Sequence, residues 1–237
     1  MAMLNITPQN CDACLAFSAI IAAYAWASSH QTGGLFFSDR SISDAKESNV
    51  DWASLLRGVN TLLDTAGEWM TSKSLKLVLY PPPIDPKLAK ADPEASIKLT
   101  ALSQLWDSPP GSFNSMEVGA LNSTLALLRE DYGLVASSSD DCQIDIVSVV
   151  YAWPIKVPGA FLVMVKELKP EALILLAHYS LLLNSVDQVW FMHGMSRRLL
   201  QTIHSRIGKE WESWIAWPLQ TLVLTEFKDQ VEGRGAH

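Results

Sequence analysis

Cys11 and Cys14 are the first residues in this chain whose types and spacing could do chemistry, since a CxxC pair can hold zinc or cycle between thiol and disulfide. A structural zinc site needs four ligands, and no second CxxC or HxxxH pair follows; Cys142 stands alone. The two thiols are therefore expected to be buried helix positions. His193 and His204 fall on one predicted helix at a separation of about 16 Å, from 1.5 Å of rise per residue, too far apart to share a metal ion. His178 lies in a segment apolar on nearly every side. No carboxylate stands three or four residues from it and Glu171 is two turns away, so the sequence predicts a buried imidazole with one satisfied hydrogen bond. Asp140, Asp141 and Asp145 are expected to be loop and helix-start carboxylates, favoured by the helix dipole. The chain contains no GxSxG elbow, GxxxxGK phosphate loop, GxGxxG turn or HExxH pair, and no enzyme is expected.

Composition narrows the field further. Of 237 residues, 49% are hydrophobic and only 18% charged, which is greasier than an average soluble domain and implies a deep core or an apolar cavity. The formal net charge is -7, with the acidic excess spread along the chain, so binding to nucleic acid by this piece alone is not expected. Three cysteines are too few for a disulfide framework and suit a reducing compartment. The apolar run "ACLAFSAIIAAYAWA", Ala13 to Ala27, has no basic residue before it, as the first is Arg40, and so lacks the positive flank of a secretory signal. Ala172 to Leu183 is shorter than the roughly 20 residues that cross a bilayer and is expected to be a core helix.

These residues must be positioned by helices. Trp52, Leu55, Leu56, Val59, Leu62, Leu63, Ala66, Trp69 and Met70 recur at three- and four-residue steps and predict an amphipathic helix. Val118, Leu121, Leu125, Leu128 and Tyr132 predict a second, opened by Asn114 with Glu117 three residues on, the spacing of a capping box. "YPPPIDPKLAKADP", Tyr80 to Pro93, is expected to be a loop within one domain, because its prolines remove backbone donors. "QIDIVSVVYAWP", Gln143 to Pro154, alternates well enough for a strand, but a lone strand would leave its amides unpaired, so a helix is predicted. Ser185 and Gln188 predict the start of a further helix over Asp187 to Ile207, with Gly208 closing it in a left-handed conformation. Trp211, Trp214 and Trp217 recur every three residues along one side of a helical turn, stopped or kinked by Pro218. The fold class expected is all-α, a single multi-helix orthogonal bundle over residues 1–237 with an apolar internal pocket.

Trp190, Phe191, Met192 and Met195 set adaptable thioethers beside flat aromatic faces, the composition of a pocket for a large apolar ligand. Gly194 lets a ligand or backbone come close. With Leu199, Trp214 and His178 these are the candidate ligand-binding residues, and no catalytic or metal-binding residue is expected.

The blocks "DWASLLRGVNTLLDTAGEWMTSKSL", "LNSTLALLRE", "VVYAWPIKVPGAFLVMVKELKPEALILLAHYSLLLNSVDQVWFMHGMSRRLL" and "WESWIAWPLQ" resemble, in this order, the C-terminal regulatory region of fungal Zn2Cys6 transcription factors. The sterol uptake control proteins are the group they resemble most. The resemblance implies an all-helical ligand-binding domain that senses a sterol such as ergosterol, or another apolar small molecule, and controls transcription from the nucleus, shuttling there from the cytoplasm. It also implies contact with DNA through a separate domain carrying the six-cysteine cluster, which this sequence lacks. A homodimer would hide part of the apolar excess. The second reading is a helical interaction or transactivation module of a metabolite-pathway regulator, which meets co-regulator proteins and takes no small ligand.

Overall fold

A computed structural model describes residues 6–32, 36–37, 52–71, 93–107, 113–138 and 145–223, and among these no residue is in a strand. The fold is all-α. Backbone contacts divide the chain into two compact units, Met1–Asp85 and Pro86–His237, with the break inside the proline-rich segment. Asp140, Asp141, Cys142 and nearly all of that segment lie outside the described residues.

In the first unit, α1 (Cys11–Thr32) packs against α2 (Trp52–Ala66). Cys11, Leu15 and Ala22 are buried on α1, and Val59 and Ala66 on α2. The amphipathic period of α2 continues to Met70, but the helix does not. After Ala66 the chain tightens into one 3-10 turn, Gly67–Trp69, which leaves Met70 buried and Trp69 40% exposed. The Asp12 carboxylate accepts from the Thr71 amide at 3.2 and 3.3 Å and from its hydroxyl at 2.6 Å. This clasp ties the end of the α2 segment to the start of α1, so the two helices run antiparallel. Both described cysteines are free thiols at the start of α1, Cys11 buried and Cys14 half-buried.

The second unit holds the larger core. α3 (Pro93–Ala101) starts on a proline, whose missing N–H costs nothing in a first turn, and the short α4 (Gln104–Asp107) follows. Trp106 of α4 donates its indole N–H to Asn122 at 2.8 Å, tying α4 to α5 (Ser115–Ser137). The capping box opens α5 as its sequence predicts: Asn114 Oδ1 accepts from the Glu117 amide and Glu117 accepts from the Asn114 amide, both at 2.9 Å. Lys169 donates to the same carboxylate, and this bond, ahead of the Asn114 amide, holds the Glu117 carboxyl below its usual range. Asn114→Ala is expected to cost about 1 kcal/mol of stability in urea unfolding, the usual worth of a cap.

α6 (Ile146–Lys156) is the helix predicted for the ambiguous β-branched segment, with Asp145 as its N-cap accepting from the Val147 amide at 3.1 Å. Pro158 forces Val157 into an extended conformation, which ends α6 and starts α7 (Gly159–Lys166) after an 80° bend. Among the described residues no single helix is long and apolar enough to cross a membrane. α7 closes in a Schellman motif, Leu168 N–H to Val165 O and Lys169 N–H to Met164 O, both at 3.0 Å. Leucine takes the left-handed position there, φ 58°, where glycine is the unstrained choice.

α8 (Pro170–Asn184) is the centre of this unit. From Glu171 to Ser180 every residue is buried, because α5, α7, α9 and the 3-10 segment Lys209–Ile215 surround it. α6 reaches it by side chains: the Tyr179 hydroxyl donates to Val150 O at 2.9 Å, and Trp153 stacks on the Tyr179 ring at 4.1 Å.

The segment after α8 departs from its prediction. No helix spans Asp187 to Ile207. Ser185 does not cap a new helix but turns its hydroxyl back to Leu182 O at 2.6 Å, at the end of α8. Residues 185–194 form turns, and α9 is Met195–Arg206. The apolar spacing of Val189 and Met192 imitates a helix while local hydrogen bonds hold turns instead. Gly208 is not left-handed either: it is extended, φ -67° and ψ 152°, and Ile207 already ends the helix. Pro218 stops nothing; it lies in the first turn of α10 (216–223), where a proline is tolerated. Trp211 and Trp214 belong to the 3-10 segment, whose three-residue turn matches their spacing better than an α-helix does.

Candidate functional site

The candidate ligand residues divide by environment. Met192, Met195 and Leu199 are 0%, 2% and 3% exposed, the last two one turn apart on the face of α9 that packs against α8. His178 is buried in α8. Trp190 is instead 81% exposed, its ring meeting Phe191 edge-on at 5.4 Å. Phe191 and Trp214 are half-buried. The structure thus buries the methionines and Leu199 and sets Trp190 at the surface of the 185–194 turn.

Asp187 organises that turn. One carboxylate oxygen accepts from the Gly194 amide at 2.7 Å, and the other lies 3.1 Å from His193 Nδ1. Gly194 is left-handed, φ 73°, immediately before α9, a conformation that would strain any residue with a Cβ. Its role in this fold is a backbone reversal. His193 stands outside α9, so the two histidines do not share a helix. Among the described residues no group of three or more His, Cys, Asp or Glu side chains could hold a metal ion.

His178 is placed by its own helix. Its Nδ1 lies 2.8 Å from Ile174 O and must donate to that carbonyl, which fixes the neutral tautomer. Its ring faces Trp217 at 5.6 Å, and Trp217 faces Tyr132 at 5.9 Å. The Tyr132 hydroxyl donates to His178 O at 2.8 Å. Burial pulls the imidazole down to about 4, against the smaller upward pull of the Ile174 carbonyl. It is an uncharged core group at neutral pH.

Sequence reasoning missed the aromatic cluster of Trp153, Tyr179 and Phe161 and the buried acid Asp131. Trp153 stacks on Tyr179 and meets Phe161 edge-on at 5.8 Å. Its indole N–H has no hydrogen-bonding partner, and neither has either oxygen of Asp131. A signal for Asp131 existed: Ala120, Thr124, Leu128 and Asp131 follow at helical spacing, and all four are buried. The stripe predicted from Val118 to Tyr132 lies slightly off this face, for Val118 and Tyr132 are only half-buried.

A groove of about 100 Å³ opens between α9 and α10, lined by Arg197, Leu200, Gln201, His204, Leu219, Leu222 and Val223. None of the candidate ligand residues lines it. Its volume is below the roughly 300–1,000 Å³ of sites for drug-sized ligands.

No protein-family model matches the chain, and no solved structure matches it. The chain is similar to a Zn(2)-C6 fungal-type transcription factor of Gibberella zeae, 25% identical over 241 residues that cover 93% of this chain and 44% of that protein. It therefore spans less than half the length of the curated relative it matches.

Proposed function

We propose that this chain is a regulatory region of a fungal transcription factor, acting through other parts of a longer protein and without chemistry of its own. The observation that carries the reading is the likeness to the Gibberella zeae transcription factor along nearly the whole chain. The nucleus is the compartment such a role requires.

The finer reading is a domain that responds to a sterol such as ergosterol or a similar apolar molecule. What supports it is the apolar excess around α8 and the adaptable side chains of Met192 and Met195. At about 25 cal/mol per Å², a ligand burying a few hundred Å² would gain several kcal/mol before association costs. A tenfold bias between two states of the domain needs about 1.4 kcal/mol of differential affinity. The second reading, an interaction module without a small ligand, is favoured by Trp190, which is 81% exposed beside Phe191. Large aromatics in such positions are common anchors for partner proteins.

One experiment separates them. Residues 1–237 are fused to a heterologous DNA-binding domain, reporter transcription is measured in sterol-replete and sterol-depleted yeast, and the purified chain is melted with and without ergosterol. The sterol reading expects a reporter response of about tenfold and a melting temperature raised by several degrees, because a ligand bound only to the native state must stabilise it. An active reporter with neither effect leaves the interaction module, and a silent reporter from a folded fusion removes the regulatory reading altogether.

A further inference from the structure

Asp131 is an acid in the wrong place for an ordinary surface carboxylate. It is 0% exposed on α5, where α5 packs against α6 and α8, and neither oxygen has a hydrogen-bonding partner. A carboxylate stripped of water and left unpaired is expensive, whereas the protonated acid is tolerated. The groups acting on it are few. Lys156 at the end of α6 favours the charged form, Glu130 on its own helix opposes it, and no charge from α3 or α7 is among those that act. From α8 it faces Tyr179, whose own ionisation is disfavoured first by burial and then by Asp131 and by Tyr151 of α6. The Tyr179 hydroxyl is already committed to Val150 O, and the Trp153 indole stacked on Tyr179 adds a second buried polar group without a partner.

We propose that Asp131, sealed without a hydrogen-bonding partner where α5 packs against α6 and α8, is a proton-linked switch in the second unit: its carboxyl is carried neutral while α5, α6 and α8 are closed, and its ionisation loosens them. Burial raises the group to about 7, so the switch works near neutral pH. The folded protein then binds one proton more than the unfolded chain between the ordinary value of 3.8 and about 7. That contribution is full below the lower value and is lost as pH rises through the upper one. His178, one residue before Tyr179 and held at its carbonyl by Tyr132, works in the opposite sense, since burial keeps it neutral against acid. The Asp131 effect must therefore be read as a difference between proteins.

The test is urea unfolding of the wild-type chain and of Asp131→Asn across pH 5 to 8, together with carboxyl-carbon NMR of the wild-type chain labelled at aspartate. The folding constant of the wild type is expected to fall relative to the variant by roughly a hundredfold over that range. One aspartate carboxyl, assigned by through-bond correlation to residue 131, is expected to titrate near 7. Parallel pH profiles for the two proteins, or an Asp131 carboxyl that titrates below 5, would overturn the proposal. Should the variant not fold, the wild-type titration decides alone.

Discussion

Trp153→Ala is expected to cost about 4 kcal/mol of stability, the usual loss when a fully buried tryptophan is cut back to a methyl group. Trp153 is 0% exposed, stacked on Tyr179 at 13° and edge-on to Phe161, so the truncation leaves a hole bounded by two aromatic rings that are themselves fully buried. Both lost dispersion contacts and lost apolar burial contribute. Trp153→Phe separates packing from polarity. It keeps most of the ring contact and removes an indole N–H that has no acceptor, relieving a penalty of roughly 1–3 kcal/mol. Its net cost is expected to stay within about 1 kcal/mol. Urea unfolding followed by far-UV circular dichroism reads both, and a Trp153→Ala loss below about 1 kcal/mol would show that α6 is not locked to α8 through this ring.

Acid should unfold the second unit through His178. The imidazole has an ordinary value of 6.5 and is pulled down to about 4 by burial. Between those values the unfolded chain binds a proton that the folded protein does not, so stability is full above 6.5 and falls as pH drops toward 4. The loss is about 3 kcal/mol, at 1.36 kcal/mol for each unit of difference. Asp131 offsets it over the same range in the wild type, so the measurement belongs in Asp131→Asn, where the acid limb stands alone. A flat profile from pH 6.5 to 4 in that background would mean that His178 reaches water, contrary to its 2% exposure. Proton NMR of the ring gives an independent reading, with no imidazole shift expected for His178 above pH 5.

Much of the helical layout was legible in the residues. The capping box at Asn114 and Glu117, the N-cap at Asp145 and the burial of Ala172 to Leu183 depend on neighbours in sequence and on apolar content, which a linear reading contains. The break at Pro158 was not drawn from the sequence, although proline restricts the residue before it whatever the tertiary setting. The segment from Ser185 to Gly194 was not legible. Its apolar spacing and its Ser–Gln pair fit a helix start, but Asp187 reaches seven residues forward to the Gly194 amide and closes turns instead.

The candidate site shows the same division. That His178 would be a buried imidazole with one hydrogen bond follows from the apolar residues around it and a carbonyl one turn back, all within α8. That Trp190 stands in solvent while Met192 is sealed depends on the turn between α8 and α9, which no local period specifies. Composition and spacing thus determined that this protein is a set of apolar helices, because backbone hydrogen bonding and side-chain periodicity are local properties. Only the packing of α5, α6 and α8 decided that Asp131 loses its water and that Trp153, Tyr179 and Phe161 meet, because dehydration and ring contact arise between segments far apart in the chain.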